Sequence, residues 1–236
     1  SSYVSTAERI AEDVATRWNA VLACAPGAAG CADKLVNDLG QRIFRRPLST
    51  TEKTDYLALA KGTAAGRTEA EGMKVALAAM LSSPQFLYRS ELGELSSGSI
   101  YKLTAYEIAT YLAYTYTGTT PSVDLIAAAT RGDLNTVAGI RTQASTLLNS
   151  ANTKVLMGDF INRWLGTEKL ATQNKVGVAN FATLAGDMQQ ELSKNFSAAV
   201  LDSTATFATV YNPNFTYVNQ RLATHYGVTF SGTADA

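Results

Sequence analysis

The stretch "ADKLVNDLGQRIFRRPLSTTEK", residues 32–53, decides the fold class. Leu35, Leu39 and Ile43 recur at every fourth position, and Val36 and Phe44 widen the stripe, which is the period of an amphipathic helix. Arg45 and Arg46 fall in the predicted last turn, where cations suit unpaired carbonyls, and Pro47 forbids continuation. Ser49 and Glu52 then form a capping box that opens the next helix. The two arginines admit two readings. Neighbouring guanidiniums grip carboxylates or phosphates, so the pair is a candidate anion pocket. The same pair equally serves as a helix cap plus an ion pair between helices.

This punctuation recurs along the chain. Thr68 with Glu71 opens "EGMKVALAAMLSSP", in which Met73, Leu77, Met80 and Leu81 share one face and Pro84 follows the stop. Thr104 with Glu107 opens "YEIATYLAYTYTG", ended by Gly118. Between them lies "GELSSGS", a linker-like segment expected to separate an N-terminal helical domain, 1–95, from a C-terminal one, 100–236. Further helices are predicted at about 122–130, 134–149, 153–165, 182–208 and 216–226. Val155, Leu156, Phe160, Ile161, Trp164 and Leu165 form one strong apolar face, and Leu184, Met188, Leu192, Phe196 and Val200 another. No alternating run argues for a strand. The expectation is an all-α protein of two packed helical bundles without a substantial sheet.

Lys and Arg number 20, as do Asp and Glu, so the basic excess of a nucleic-acid binder is missing. Charged residues make up 17%, against about 25% in typical soluble chains, a composition that suits an exported protein. Cys24 and Cys31 bound "CAPGAAGC", too rich in Gly and Pro for a helix. A disulfide closing so short a loop contributes about 2–3 kcal/mol. A zinc site needs more ligands than two Cys and one distant His, and a redox pair usually takes a shorter spacing. A structural disulfide, and with it an oxidising compartment, is therefore expected. No run of about 18 apolar residues predicts a membrane span. The chain opens on "SSYVS", and the reading expects either an export leader already removed or an internal cut.

Motifs for nucleophilic hydrolysis, nucleotide phosphates, dinucleotides, zinc proteolysis and covalent haem do not occur. The expectation is that no catalytic, metal or cofactor-binding residue lies on this chain. His225, the single histidine, sits near the end of a predicted helix. There it is a partly cationic cap, a partner contact or a catalytic group. Tyr101, Tyr106, Tyr111, Tyr114 and Tyr116 cluster in a short span, with Tyr111 and Tyr114 on one helix face. Such a row stacks on sugars or on another protein, or it forms a core edge with its hydroxyls satisfied.

"FRRPLSTTEKTDYLALA" and "MLSSPQFLYRSELG" together resemble the small helical domain-of-unknown-function family numbered 1595. "LTAYEIATYLAYTYTGTTPSVDLIAAA", "FINRWLG" and "NFTYVNQRLATHYGV" are similar to its usual neighbour, numbered 1592. The resemblance covers roughly residues 30–228 and implies an exported bacterial helical module, found in planctomycetes and myxobacteria, often beside cytochrome-type domains. It supplies no catalytic residues. Tyr111 stands where an Arg is common in the family, Thr117 where a Trp is, and Gln220 where Glu is usual.

Two functions follow as expectations. One is a non-catalytic structural or interaction module of a secreted or surface-attached assembly. Its partner would be the C-terminal remainder of its own precursor or a neighbouring subunit, since "SGTADA" at the end reads as a tail suited to proteolysis. The alternative is an accessory subunit of a redox or polysaccharide-processing enzyme whose cofactor, with a cytochrome-type partner, lies elsewhere. Arg45, Arg46, Tyr106, Tyr111, Tyr114 and His225 are the candidate partner or ligand contacts. The location expected is periplasmic, outer-membrane-associated or extracellular.

Overall fold

The structure is a computed structural model that describes residues 2–62, 66–201, 206–230 and 232. It is predominantly all-α, with 69% of the described residues helical. The chain divides into two compact units, Ser1–Tyr114 with Thr119–Arg141, and Thr115–Gly118 with Thr142–Ala236.

In the first unit, α1 (Ser2–Ala15) and α2 (Trp18–Leu22) lead into the disulfide-closed loop between Cys24 and Cys31, whose Cα atoms are 5.8 Å apart. Beyond it α3 (Cys31–Lys34), a π-helical turn (Leu35–Leu39) and α4 (Gly40–Phe44) run on as one rod. The π turn shifts the sequence period: Leu35, Val36, Ile43 and Phe44 are buried, whereas Leu39 is only half-buried. Next come α5 (Thr50–Lys61), α6 (Glu69–Ser82) and α7 (Pro84–Leu87). The capping boxes predicted for α5 and α6 are formed, Ser49 with Glu52 and Thr68 with Glu71. Pro84 is the first residue of α7, because its fixed φ suits a helix start as well as a stop. Trp18, Leu35, Val36, Phe44, Met73 and Met80 belong to one apolar core. Glu69 at the start of α6 accepts the backbone N–H of Gly27 at 2.9 Å and so anchors the disulfide loop.

The segment read as a linker is a hairpin of β1 (Glu94–Ser97) and β2 (Ile100–Lys102), the one sheet among the described residues. Every residue in it is exposed, so no apolar alternation announces the strands. Gly98 supplies the positive φ of its turn. Glu107 then ties the hairpin to α8 (Ala105–Thr117): it accepts the N–H groups of Leu92 and Gly93 and closes the capping box with Thr104. Burial pushes the Glu107 carboxyl up, and these backbone donors outweigh it and hold the group below its ordinary value. After α8 comes α9 (Val123–Thr130), which buries Leu125, Ile126, Ala128 and Ala129.

The division at Arg141 falls within α10 (Val137–Leu148), and the second unit continues with α11 (Ala151–Leu165), α12 (Phe181–Leu201), α13 (Phe207–Tyr211) and α14 (Gln220–Tyr226). Of the predicted 182–208 helix, α12 covers the part up to Leu201, residues 202–205 lie outside the described residues, and Phe207 begins the separate α13. Most of the "SGTADA" tail falls outside the described residues. A small core gathers Phe181, Leu184, Ala185 and Leu222. Small and polar side chains mediate the α11–α12 contact. A Cβ on Gly158 would lie 2.8 Å from the Cβ of Ser193, and Asn162 Nδ2 donates to Ser193 Oγ at 2.6 Å.

Candidate functional site

The paired arginines separate on folding. α4 ends at Phe44, and Arg45 takes the left-handed position after it, φ 59°, rather than lying in the last turn as the sequence suggests. That backbone turns the side chain inward. Only 6% exposed, the guanidinium donates to the carbonyls of Gln85 at 2.6 Å and Tyr88 at 2.8 Å, with longer contacts to Ile43 and Phe86. It therefore caps α7, a role that leaves neither terminal nitrogen for a bound anion. Arg46 turns to Glu52 and pairs with both carboxylate oxygens at 2.8 Å. That fork of hydrogen bonds pulls the Glu52 carboxyl down to about 2 against the opposing effect of burial.

The tyrosines of α8 are also distributed. Tyr106 donates its hydroxyl to Thr130 on α9 at 3.2 Å. Tyr114 is half-buried, with the Arg89 guanidinium 5.6 Å over its ring. Tyr111 remains 48% exposed. His225 is exposed in the last turn of α14, with its ring 5.7 Å from that of Tyr226.

A polar stripe on α12 organises the second unit, and it is absent from the residues singled out in the sequence. Asp187, only 7% exposed, receives Arg221 through Nε at 2.5 Å and Nη2 at 2.7 Å, and Asn219 Nδ2 at 2.7 Å. One turn on, Glu191 accepts the hydroxyls of Thr216 and Tyr226. A further turn on, Asn195 donates to Thr216 and accepts the backbone N–H of Tyr217. Asn219 also caps α14 by accepting from Leu222 N at 2.9 Å. The stripe thus fixes residues 216–226 along α12. Its spacing of four residues between Asp, Glu and Asn was the available signal. Burial and the Glu191 carboxylate together push the Tyr226 phenol up to about 12.

The apolar face of α11 carries the largest departure from expectation. Ile161 is buried, but Val155 is 64% exposed, Phe160 51%, Trp164 59% and Leu165 56%. Phe160 lies 5.8 Å from Trp164 and 6.0 Å from Phe196 of α12, so three aromatic rings gather at the surface. Val200 of the second predicted face is likewise exposed. Val155, Phe160, Trp164, Leu165 and Val200 therefore lie outside the core, and the close α11–α12 contact is made by Gly158, Asn162 and Ser193.

A separate groove of about 750 Å³ lies between α11 and α12, bordered by Lys154, Asp159, Gln190, Lys194 and Tyr217. Among the described residues no group of three or more His, Cys, Asp or Glu is placed to hold a metal. No described helix is long and apolar enough to cross a membrane.

Two family models match the chain: one described as PSD4, protein of unknown function (DUF1592), over residues 103–228, and one described as PSD5, protein of unknown function (DUF1595), over residues 31–91. No curated protein and no solved structure matches it.

Proposed function

We propose, for a chain that belongs to the DUF1592 family over residues 103–228 and carries a DUF1595 segment ahead of it, the role of an interaction module in an exported bacterial assembly. The observation that carries this reading is the aromatic cluster of Phe160, Trp164 and Phe196. A Trp and a Phe that each leave half their surface in water forgo about 1 kcal/mol or more of burial energy apiece. Trp is also among the residues most enriched at the energetic centres of interfaces. The occupant is an apolar surface on a neighbouring domain or subunit of the same assembly. The Cys24–Cys31 disulfide supports the exported location, since such bonds persist in oxidising compartments.

The two tryptophans provide the test. Trp18 is 4% exposed and Trp164 is 59% exposed, so a Trp18→Phe background isolates the emission of Trp164. In the recombinant chain that emission is expected to be water-like and readily quenched by iodide. In the assembly purified from its source, residues 160–164 should be protected from covalent labelling. The reading fails if labelling of Trp164 is the same in both preparations.

A further inference from the structure

We propose that the groove between α11 and α12 binds a short neutral oligosaccharide. Its volume, about 750 Å³, lies within the range of clefts that hold small ligands, about 300–1,000 Å³. It exists because the helices meet through small residues, with Gly158 against Ser193 at its base. Along α12 it runs from Gln190 to Leu201, or about 16 Å at the helical rise per residue, enough for roughly three sugar rings.

Tyr217 forms one wall and is 45% exposed. Its main chain is tethered and its ring has one aromatic neighbour. Asn195 Oδ1 accepts its backbone N–H at 3.2 Å, and Phe215 stands edge-on to it, 5.7 Å away at 85°. A positioned aromatic face is a platform for the C–H face of a pyranose ring.

The rim selects the ligand class. The side chains of Lys154, Asp159, Gln190 and Lys194 border the groove, and none has a hydrogen bond or ion pair among the described residues. Two are donors, one is an acceptor and one is both. A sugar hydroxyl donates and accepts, so a polyol satisfies all four. An anion would meet the Asp159 carboxylate as well as the lysines. An apolar helix laid in the groove would cover four polar groups without pairing them, each at a cost of about 1–3 kcal/mol. The combination of one positioned ring, apolar lining from Leu148, Val155, Ala198 and Leu201, and mixed uncommitted polar groups fits a neutral glycan.

The experiment titrates the ¹⁵N-labelled chain with cellotriose and with xylotriose and follows the amide resonances. A saturable shift of residues 154–159, 190–201 and 217 is expected with at least one of the two. Tyr217→Ala should weaken that binding at least tenfold, Tyr217→Phe should leave it within twofold, and Asp159→Asn should weaken it a few-fold. Thermal midpoints of the variants establish that they fold. The proposal is overturned if neither sugar produces saturable shifts at its solubility limit, if the shifts fall elsewhere, or if Tyr217→Ala binds as wild type. It is overturned equally if inorganic phosphate, and not sugar, moves these residues, because the lysines alone would then define the site.

Discussion

The guanidinium of Arg45 donates to the carbonyl of Tyr88 at 2.8 Å, joining two residues 43 positions apart. Together with its bond to Gln85, this contact binds the "FRRPL" block to the "SPQFLYR" block. Two segments that carry the family resemblance are thus halves of one capping arrangement. Arg45→Ala leaves several carbonyls at the end of α7 without donors and is expected to cost about 2–4 kcal/mol, measured by urea denaturation. Arg45→Lys should recover less than half of that, since one ammonium cannot reproduce the planar fork. Full recovery with lysine would show that charge, and not geometry, is what matters.

The Arg46–Glu52 pair has a definite acid dependence. Its hydrogen bonds hold the Glu52 carboxyl at about 2 in the folded chain, below the ordinary 4.5. The pair therefore contributes fully above about pH 4.5, and its contribution is lost as pH falls through 2. Both side chains are partly solvated, so the coupling expected from a double-mutant cycle is about 1 kcal/mol. Glu52→Gln should flatten the acid limb of the stability curve. An unchanged limb would assign that pH dependence to other carboxylates.

Asp187 is the keystone of the second unit. Hydrogen bonds from Arg221, and then from Asn219, lower its carboxyl below the ordinary range against the effect of burial. Its contribution is present above the ordinary carboxylate value and is lost as pH falls through the lowered one. Asp187→Asn is expected to cost about 2 kcal/mol and to raise amide exchange chiefly in residues 216–226. Exchange that rises uniformly across the chain would instead make Asp187 a contributor to global stability only.

Reduction of Cys24–Cys31 opens a loop of sequence separation 7 and is expected to lower stability by about 2–3 kcal/mol. Circular dichroism melts with and without reductant would measure it. The N–H of Gly27 should lose its exchange protection at the same time, because its acceptor is Glu69 on α6. Protection that survives reduction would show that this hydrogen bond holds the loop on its own.

The local grammar of the fold was legible because helix starts depend on residues three positions apart. Ser49 with Glu52 and Thr68 with Glu71 needed no tertiary context. The fate of the apolar faces was not legible. Helical periodicity says that Phe160 and Trp164 share a surface, but not whether a neighbour covers it. The Asp187–Arg221 contact spans 34 positions and depends on how α14 returns to α12. Arg45 was readable as a cap, yet nothing local identified α7 as the helix it would cap.

The stripe of Asp187, Glu191 and Asn195 has a consequence for how this chain tolerates change. Its partners at 216–226 and the Ser193 contact to α11 require different sides of one continuous helix. Deleting or inserting a single residue between Asp187 and Asn195 would rotate everything beyond it by about 100° and break both sets of contacts together. Substitutions at Phe160 or Trp164 disturb neither set. Variation within this family should therefore keep the length of α12 constant while the aromatic face diverges, so that members retain one scaffold and differ in what they hold.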